Sequence, residues 1–206
     1  MQELVGIPYN EFDYQVLMSA LSDYRYPRDR VTRLIDKGLI IGVKKGIYVF
    51  SEQMGRGPYS REILANMIYD PSYISLEYAL AHYQLIPEHV SVITSVTLGK
   101  NRKFTTAVGH FNYRHLRNQY YYRGIQTESF DGRQYLIASP EKALIDQLYF
   151  MEHLGSMQTL AEYLFKDLRI DEAEFMAMDH DKLLDLAAIY RHPNLTVLRR
   201  YIRRLP

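Results

Sequence analysis

The apolar residues at the front of the chain change period twice. Val16, Leu17, Ala20 and Leu21 recur at intervals of three and four, which predicts a helix over residues 12–24 with Asp13 as its cap. Arg25-Tyr26-Pro27 interrupts that pattern, because proline ends one helix and suits the first turn of the next. A second helix is predicted over residues 27–37, burying Val31, Leu34 and Ile35 on one stripe and stopping at Gly38. Beyond the glycine the period becomes that of strands. Residues 39–43 and 47–50 are β-rich, and Lys44-Lys45-Gly46 between them predicts a tight hairpin whose glycine takes the positive φ of the turn.

Residues 51–59, with two glycines and a proline, read as a linker. A helix capped by Ser60 runs through Tyr69, and another begins near Ser75. Strands are predicted at 90–98, 104–111, 120–125 and 134–138, with turns at Gly99-Lys100-Asn101 and Phe130-Asp131-Gly132. Ser139-Pro140-Glu141 carries a cap, an initial proline and a first-turn acid, so a helix starts there, with Ala143, Leu144, Leu148 and Tyr149 facing the sheet. Helices at 158–167, 171–177, 180–190 and 194–204 complete the chain. The fold class expected is α+β: a front unit over 1–51, shaped as a winged helix-turn-helix, then a domain over 60–206 with a small sheet and a C-terminal helical block. The usual three-helix form of the front unit needs a helix before Phe12, and residues 1–9, with Gly6 and Pro8, do not supply one.

Charge sharpens this picture. The net charge is +1, yet residues 25–45 carry seven basic and two acidic side chains, and 89–127 carry six basic and none acidic. Residues 139–190 hold eleven acids against four bases, and 191–206 hold five arginines. Blocks of opposite sign suit partners of more than one kind. Arg30, Arg33 and Lys37 share one face of the second predicted helix. With Arg28, Thr32 and the turn lysines Lys44 and Lys45 they form a candidate surface for double-stranded DNA. The helix would enter the major groove and the turn would neutralise phosphates. Lys100, Arg102, Lys103, Arg114, Arg117 and Arg123 are interleaved with Phe104, Phe111, Tyr113 and Tyr120 to Tyr122. That stretch could bind a single strand by stacking or an acidic partner, although strand alternation more often places the aromatics in the core.

Other chemistries find less support. The chain has no cysteine, which excludes disulfides and thiolate metal sites and fits a reducing cytosol. The first residues lack the apolar core of a secretory signal, and no apolar run approaches the ~18 residues of a membrane span. His110 and His115 have neither spacing nor partners for zinc, so no metal or cofactor is expected. Glu141, Lys142 and Asp146 open a helix rather than forming the acid-x-lysine strand of a nuclease, and no Glu-x-Lys or Asp-x-Lys occurs in the chain. There is no nucleophile elbow and no phosphate-cradling glycine loop. In the last helix Leu195, Leu198, Ile202 and Leu205 make an apolar stripe among arginines, which predicts docking on its own domain.

The segments "DRVTRLIDKGLIIGVKKGIYVF", "YISLEYALAHYQLIPE", "FNYRHL" with "YYYRGI", and "YLIASPEKALIDQLYF" together resemble the AbiEi-type antitoxins, regulators of viral defence found in type IV toxin–antitoxin pairs. The resemblance spans residues 13–150, in the same order. It implies a DNA-binding front domain that represses its own operon at an operator. It also implies a second domain that counters a nucleotidyltransferase-like toxin encoded nearby. With none of the catalytic patterns above in place, no enzymatic activity is expected. The alternative from another class is a nuclease of a phage-defence system.

Overall fold

The computed structural model describes residues 4–205. Strand β1 (Glu11–Asp13) leads into helix α1 (Tyr14–Ala20), then α2 (Pro27–Asp36), β2 (Ile40–Lys44) and β3 (Ile47–Phe50). Next come α3 (Arg61–Ile68), β4 (Ser72–Ile74), α4 (Leu76–His82), β5 (Ile93–Thr97), β6 (Arg102–Thr106) and β7 (Gly109–His115). The chain continues through α5 (Asn118–Tyr121), β8 (Ile125–Phe130), β9 (Arg133–Ala138) and α6 (Pro140–Phe150). It ends with α7 (Met157–Glu162), α8 (Glu172–Ala177), α9 (His180–Ile189) and α10 (Pro193–Ile202). Among the described residues the strands form a three-stranded sheet, ordered β1-β3-β2, and a six-stranded sheet, ordered β6-β7-β5-β4-β9-β8. The architecture is α+β. No helix among the described residues is long and apolar enough to cross a membrane.

Local chemistry accounts for the helix ends. Asp13 Oδ1 accepts from the Val16 amide at 2.8 Å, and Ser60 Oγ accepts from Ile63 N at 3.1 Å. Ser139 Oγ accepts from Lys142 N at 3.3 Å, with Pro140 in the first position. At the end of α2, Gly38 (φ +64°) donates to Ile35 O at 2.8 Å and Leu39 donates to Leu34 O at 3.0 Å. This pair of reversed bonds needs a left-handed residue between helix and strand, which is why a glycine stands there.

Several expectations are corrected. The helix expected over 12–24 is shorter, because Glu11–Asp13 pairs antiparallel with β3; Phe12 lies opposite Tyr48 and tilts against Phe50 at 4.7 Å between ring centroids. This strand, not a further helix, precedes α1; residues 1–3 lie outside the described chain. Ile35 is 41% exposed, and the α2 core stripe is Val31 and Leu34. The single strand expected over 104–111 is a hairpin, β6–β7, closed by Thr106, which accepts from Val108 N at 3.2 Å and donates to Gly109 O at 2.9 Å. Tyrosines 120 and 121 sit in α5, not in a strand, with Tyr120 stacked on Tyr190 at 4.4 Å. Strand β4 was not foreseen; all three of its residues are buried, so it shows no alternation. The C-terminal helix docks as expected, with Leu195 and Leu198 buried.

The front unit is fastened to the rest of the chain. Its own core gathers Leu4, Ile7, Leu17, Leu21, Leu34 and Phe50, while Val43, Ile47 and Val49 belong to the larger cluster beneath the six-stranded sheet. Buried Glu11 accepts from the Ser60 amide and pairs with Arg133 at 3.1 Å. The 51–59 segment, expected as a linker, is pinned. Asn10 Nδ2 donates to the carbonyls of Arg56 and Pro58, and the Arg56 guanidinium donates to those of Leu4 and Ile7.

Candidate nucleic-acid interface

Helix α2 rests its apolar side, Val31 and Leu34, on the front core and turns the other sides outward. Arg28, Asp29, Thr32, Arg33, Asp36 and Lys37 are exposed. Arg30 is half-buried, its guanidinium 5.3 Å from the Tyr24 ring centroid. Arg25 lies likewise 5.3 Å over exposed Tyr26. Thr32 Oγ1 lies 3.5 Å from Arg28 O, one turn back along the helix. The structure therefore brings Arg28, Thr32, Arg33 and Lys37 to the outside of one capped helix. The acids Asp29 and Asp36 stand on the same outer side, between Arg28 on one flank and Arg33 and Lys37 on the other.

The hairpin divides its two lysines. Gly46 (φ +85°) makes the turn, and Lys45 at the tip is exposed. Lys44 departs from the expectation of two outward lysines. Its ammonium donates to Ile68 O at 2.6 Å, the unsatisfied carbonyl end of α3, and lies 4.8 Å over the Phe104 ring. The tip of the hairpin is thereby anchored to the second block, and Lys45 is the turn lysine left facing solvent.

The second basic stretch does not form one surface. Arg102, Lys103 and Arg114 meet at a groove beside β6 and β7, with the Arg114 guanidinium 4.5 Å over Phe150. Lys100 stands in the preceding turn, while Arg117 and Arg123 are exposed on either side of α5; none of these three lines the groove. Phe111, Tyr113, Tyr120 and Tyr121 are buried, so they offer no stacking platform; Tyr122, 67% exposed, is the exception within 120–122. His110 is within hydrogen-bond distance of Thr105 and His115 of Gly99 O, and no group of three metal-ligating side chains occurs among the described residues.

Sequence reasoning missed a polar cluster at the centre of the second block. Lys142 and Asp146, one turn apart on α6, are both 0% exposed and paired at 2.8 Å. Asp146 also accepts from Tyr190 OH at 2.7 Å, Tyr73 OH at 2.8 Å and Ser75 Oγ at 2.9 Å. Lys142 donates in addition to Tyr120 O at 2.9 Å and to the Tyr190 hydroxyl. Burial pushes the Lys142 ammonium below its usual value, and Asp146 opposes that shift. Burial, then the Asp146 charge, drives the Tyr73 and Tyr190 hydroxyls up, so both stay protonated donors. Every strong acceptor here is saturated and no solvent reaches it, so the cluster ties β4, α6 and Tyr190 at the end of α9 together. The i,i+4 spacing of Lys142 and Asp146 was visible in the sequence, but the tyrosines that complete the cluster come from distant segments. The chain matches no family model and no curated protein.

Proposed function

We propose that this protein is a DNA-binding antitoxin that represses its own operon, and that it counters a nucleotidyltransferase-like toxin through its second block. In this reading α1, α2 and the β2–β3 hairpin act as a winged helix-turn-helix, with α2 in the major groove. One observation carries the DNA-binding part. Helix α2 is capped at Gly38, held by Val31 and Leu34, and presents Arg28, Arg33 and Lys37 outward from a rigid base. Among Arg30, Arg33 and Lys37, Arg33 lies farthest round the helix from the buried stripe, where an arginine can fork onto a guanine edge. The ordered segments that resemble the AbiEi-type antitoxins support the antitoxin part.

The test is fluorescence anisotropy with the protein's own upstream DNA against random duplex. Arg33→Ala should lower the preference for the upstream sequence by about 5- to 150-fold, the equivalent of the roughly 1–3 kcal/mol of a bidentate arginine–guanine contact. Growth rescue from the adjacent toxin, with both genes under a foreign promoter, should survive the same change. Full retention of sequence preference would refute α2 as the reading helix. Loss of rescue by a folded variant would refute the division of labour.

A further inference from the structure

A groove of about 960 Å³ lies beside the outer strands of the six-stranded sheet. That is the size of a small-molecule site. One wall is polar. By strand register Lys103, Asn112 and Thr94 stand side by side on β6, β7 and β5, and Arg114 follows in the next rank beside Val96. The other wall carries Ile86, Val90, Val92 and Leu168 together with the start of α4, interleaved with Glu88, His89, Ser91 and Asp167. Leu76, the first residue of α4, has φ +60°, a left-handed conformation that costs a non-glycine residue about 1 kcal/mol or more.

Three bases and three acids line the groove. Among the acids, Glu88 is paired with Arg169 at 3.0 Å, Glu77 accepts from Gln147 at 3.1 Å, and Asp167 stands next to Leu168 on the far wall. The cations of the β6–β7 wall are not matched in this way. Among the described residues the side chains of Arg102, Lys103 and Asn112 have no hydrogen-bond or ion-pair partner, and Arg114 meets only the face of Phe150. The β6–β7 wall, which leaves three cations and an amide unpaired across from the side chains of Ile86, Val90 and Val92, is complementary to an organic anion.

We infer that this groove binds a phosphorylated small molecule of mononucleotide size, its phosphate on Lys103 and Arg114 and its ring against Ile86, Val90 and Val92. The inference does not depend on DNA binding by α2. Calorimetric titration of the full chain with adenosine and guanosine monophosphates, ribose 5-phosphate, adenosine and inorganic phosphate tests it. Saturable binding of a nucleoside monophosphate, at least about tenfold tighter than the nucleoside or inorganic phosphate, is the expected result, since both a charge-assisted contact and an apolar contact are engaged. Lys103→Glu should weaken that binding about tenfold or more while leaving the melting temperature unchanged, because Lys103 is exposed on an edge strand. Should Lys103→Glu disturb folding, Lys103→Ala takes its place. Three results would overturn the assignment: no saturable binding of any phosphate ester, binding of inorganic phosphate as tight as that of the nucleotide, or binding indifferent to Lys103. Loss of binding in Arg33→Ala would place the ligand on α2 and overturn it too.

Discussion

Replacing Asp146 by asparagine keeps the shape of the side chain and removes its charge. In the wild-type chain that carboxylate takes four donors: Lys142, Tyr190, Tyr73 and Ser75, all within 2.9 Å. Both members of the ion pair are 0% exposed, so water cannot replace the lost charge. Removing one partner of a buried pair costs about 3–5 kcal/mol, and the retained acceptor of asparagine places this change near the lower end, at ~3. For a chain of 206 residues, at about 2–4 °C per kcal/mol, the melting temperature should fall by about 6–12 °C. The loss should also depend on pH, with a definite sign. Lys142 already sits below its usual value through burial, and without Asp146 it is driven further down. Between that folded value and the ~10.4 of the unfolded chain the unfolded state binds more protons, so stability rises with pH. That window opens at lower pH in Asp146→Asn than in the wild type. The difference between the two proteins should therefore be largest below the window and shrink as pH rises through it, by up to ~1.4 kcal/mol per pH unit. Chemical denaturation of both proteins at a series of pH values reads this. A deficit that stays constant with pH would show that the Lys142 charge does not carry the effect. An unchanged melting temperature would show that the cluster does not hold α6 in place.

The hairpin lysines should separate in DNA binding. Lys45→Ala is expected to weaken binding to all sequences alike and to flatten the salt dependence by about 0.9 in the log–log slope, the release of one phosphate's counterions, whereas Lys44→Ala should lower the melting temperature and leave that slope alone. Anisotropy at graded salt, with melting curves, checks both. Gly124→Ala should destabilise by ~2 kcal/mol or more, because φ is +76° and the added Cβ would lie 2.8 Å from Lys142 Cβ; a melting temperature within experimental error of the wild type would refute this.

What could be read from the sequence was what is decided locally. The start of α6 was legible because serine, proline and glutamate each satisfy a need of a helix N-terminus. The end of α2 was legible because only glycine takes its left-handed turn without strain. Elements set by distant partners were hidden. Phe12 was assigned to a helix by its neighbours, yet its place is fixed by pairing with Tyr48, thirty-six positions away along the chain. The tyrosine run at 120–122 carries β propensity, but Tyr120 finds Tyr190, and Tyr120 and Tyr121 turn helical. The candidate sites follow the same division. The outward cations of α2 belong to one helix and follow from its period alone. Whether Lys44 meets a phosphate or a carbonyl was not written in its neighbourhood; the open end of α3 decides it, and α3 begins beyond a segment that reads as flexible. The same dependence has a structural consequence. Because Lys44 reaches Ile68 and Glu11 reaches Ser60 and Arg133, the front unit is bonded to the second block at both sides of its small sheet. A charge placed on β6, whose Phe104 lies under Lys44 while Lys103 faces the groove, therefore stands one residue from the contact that orients the hairpin.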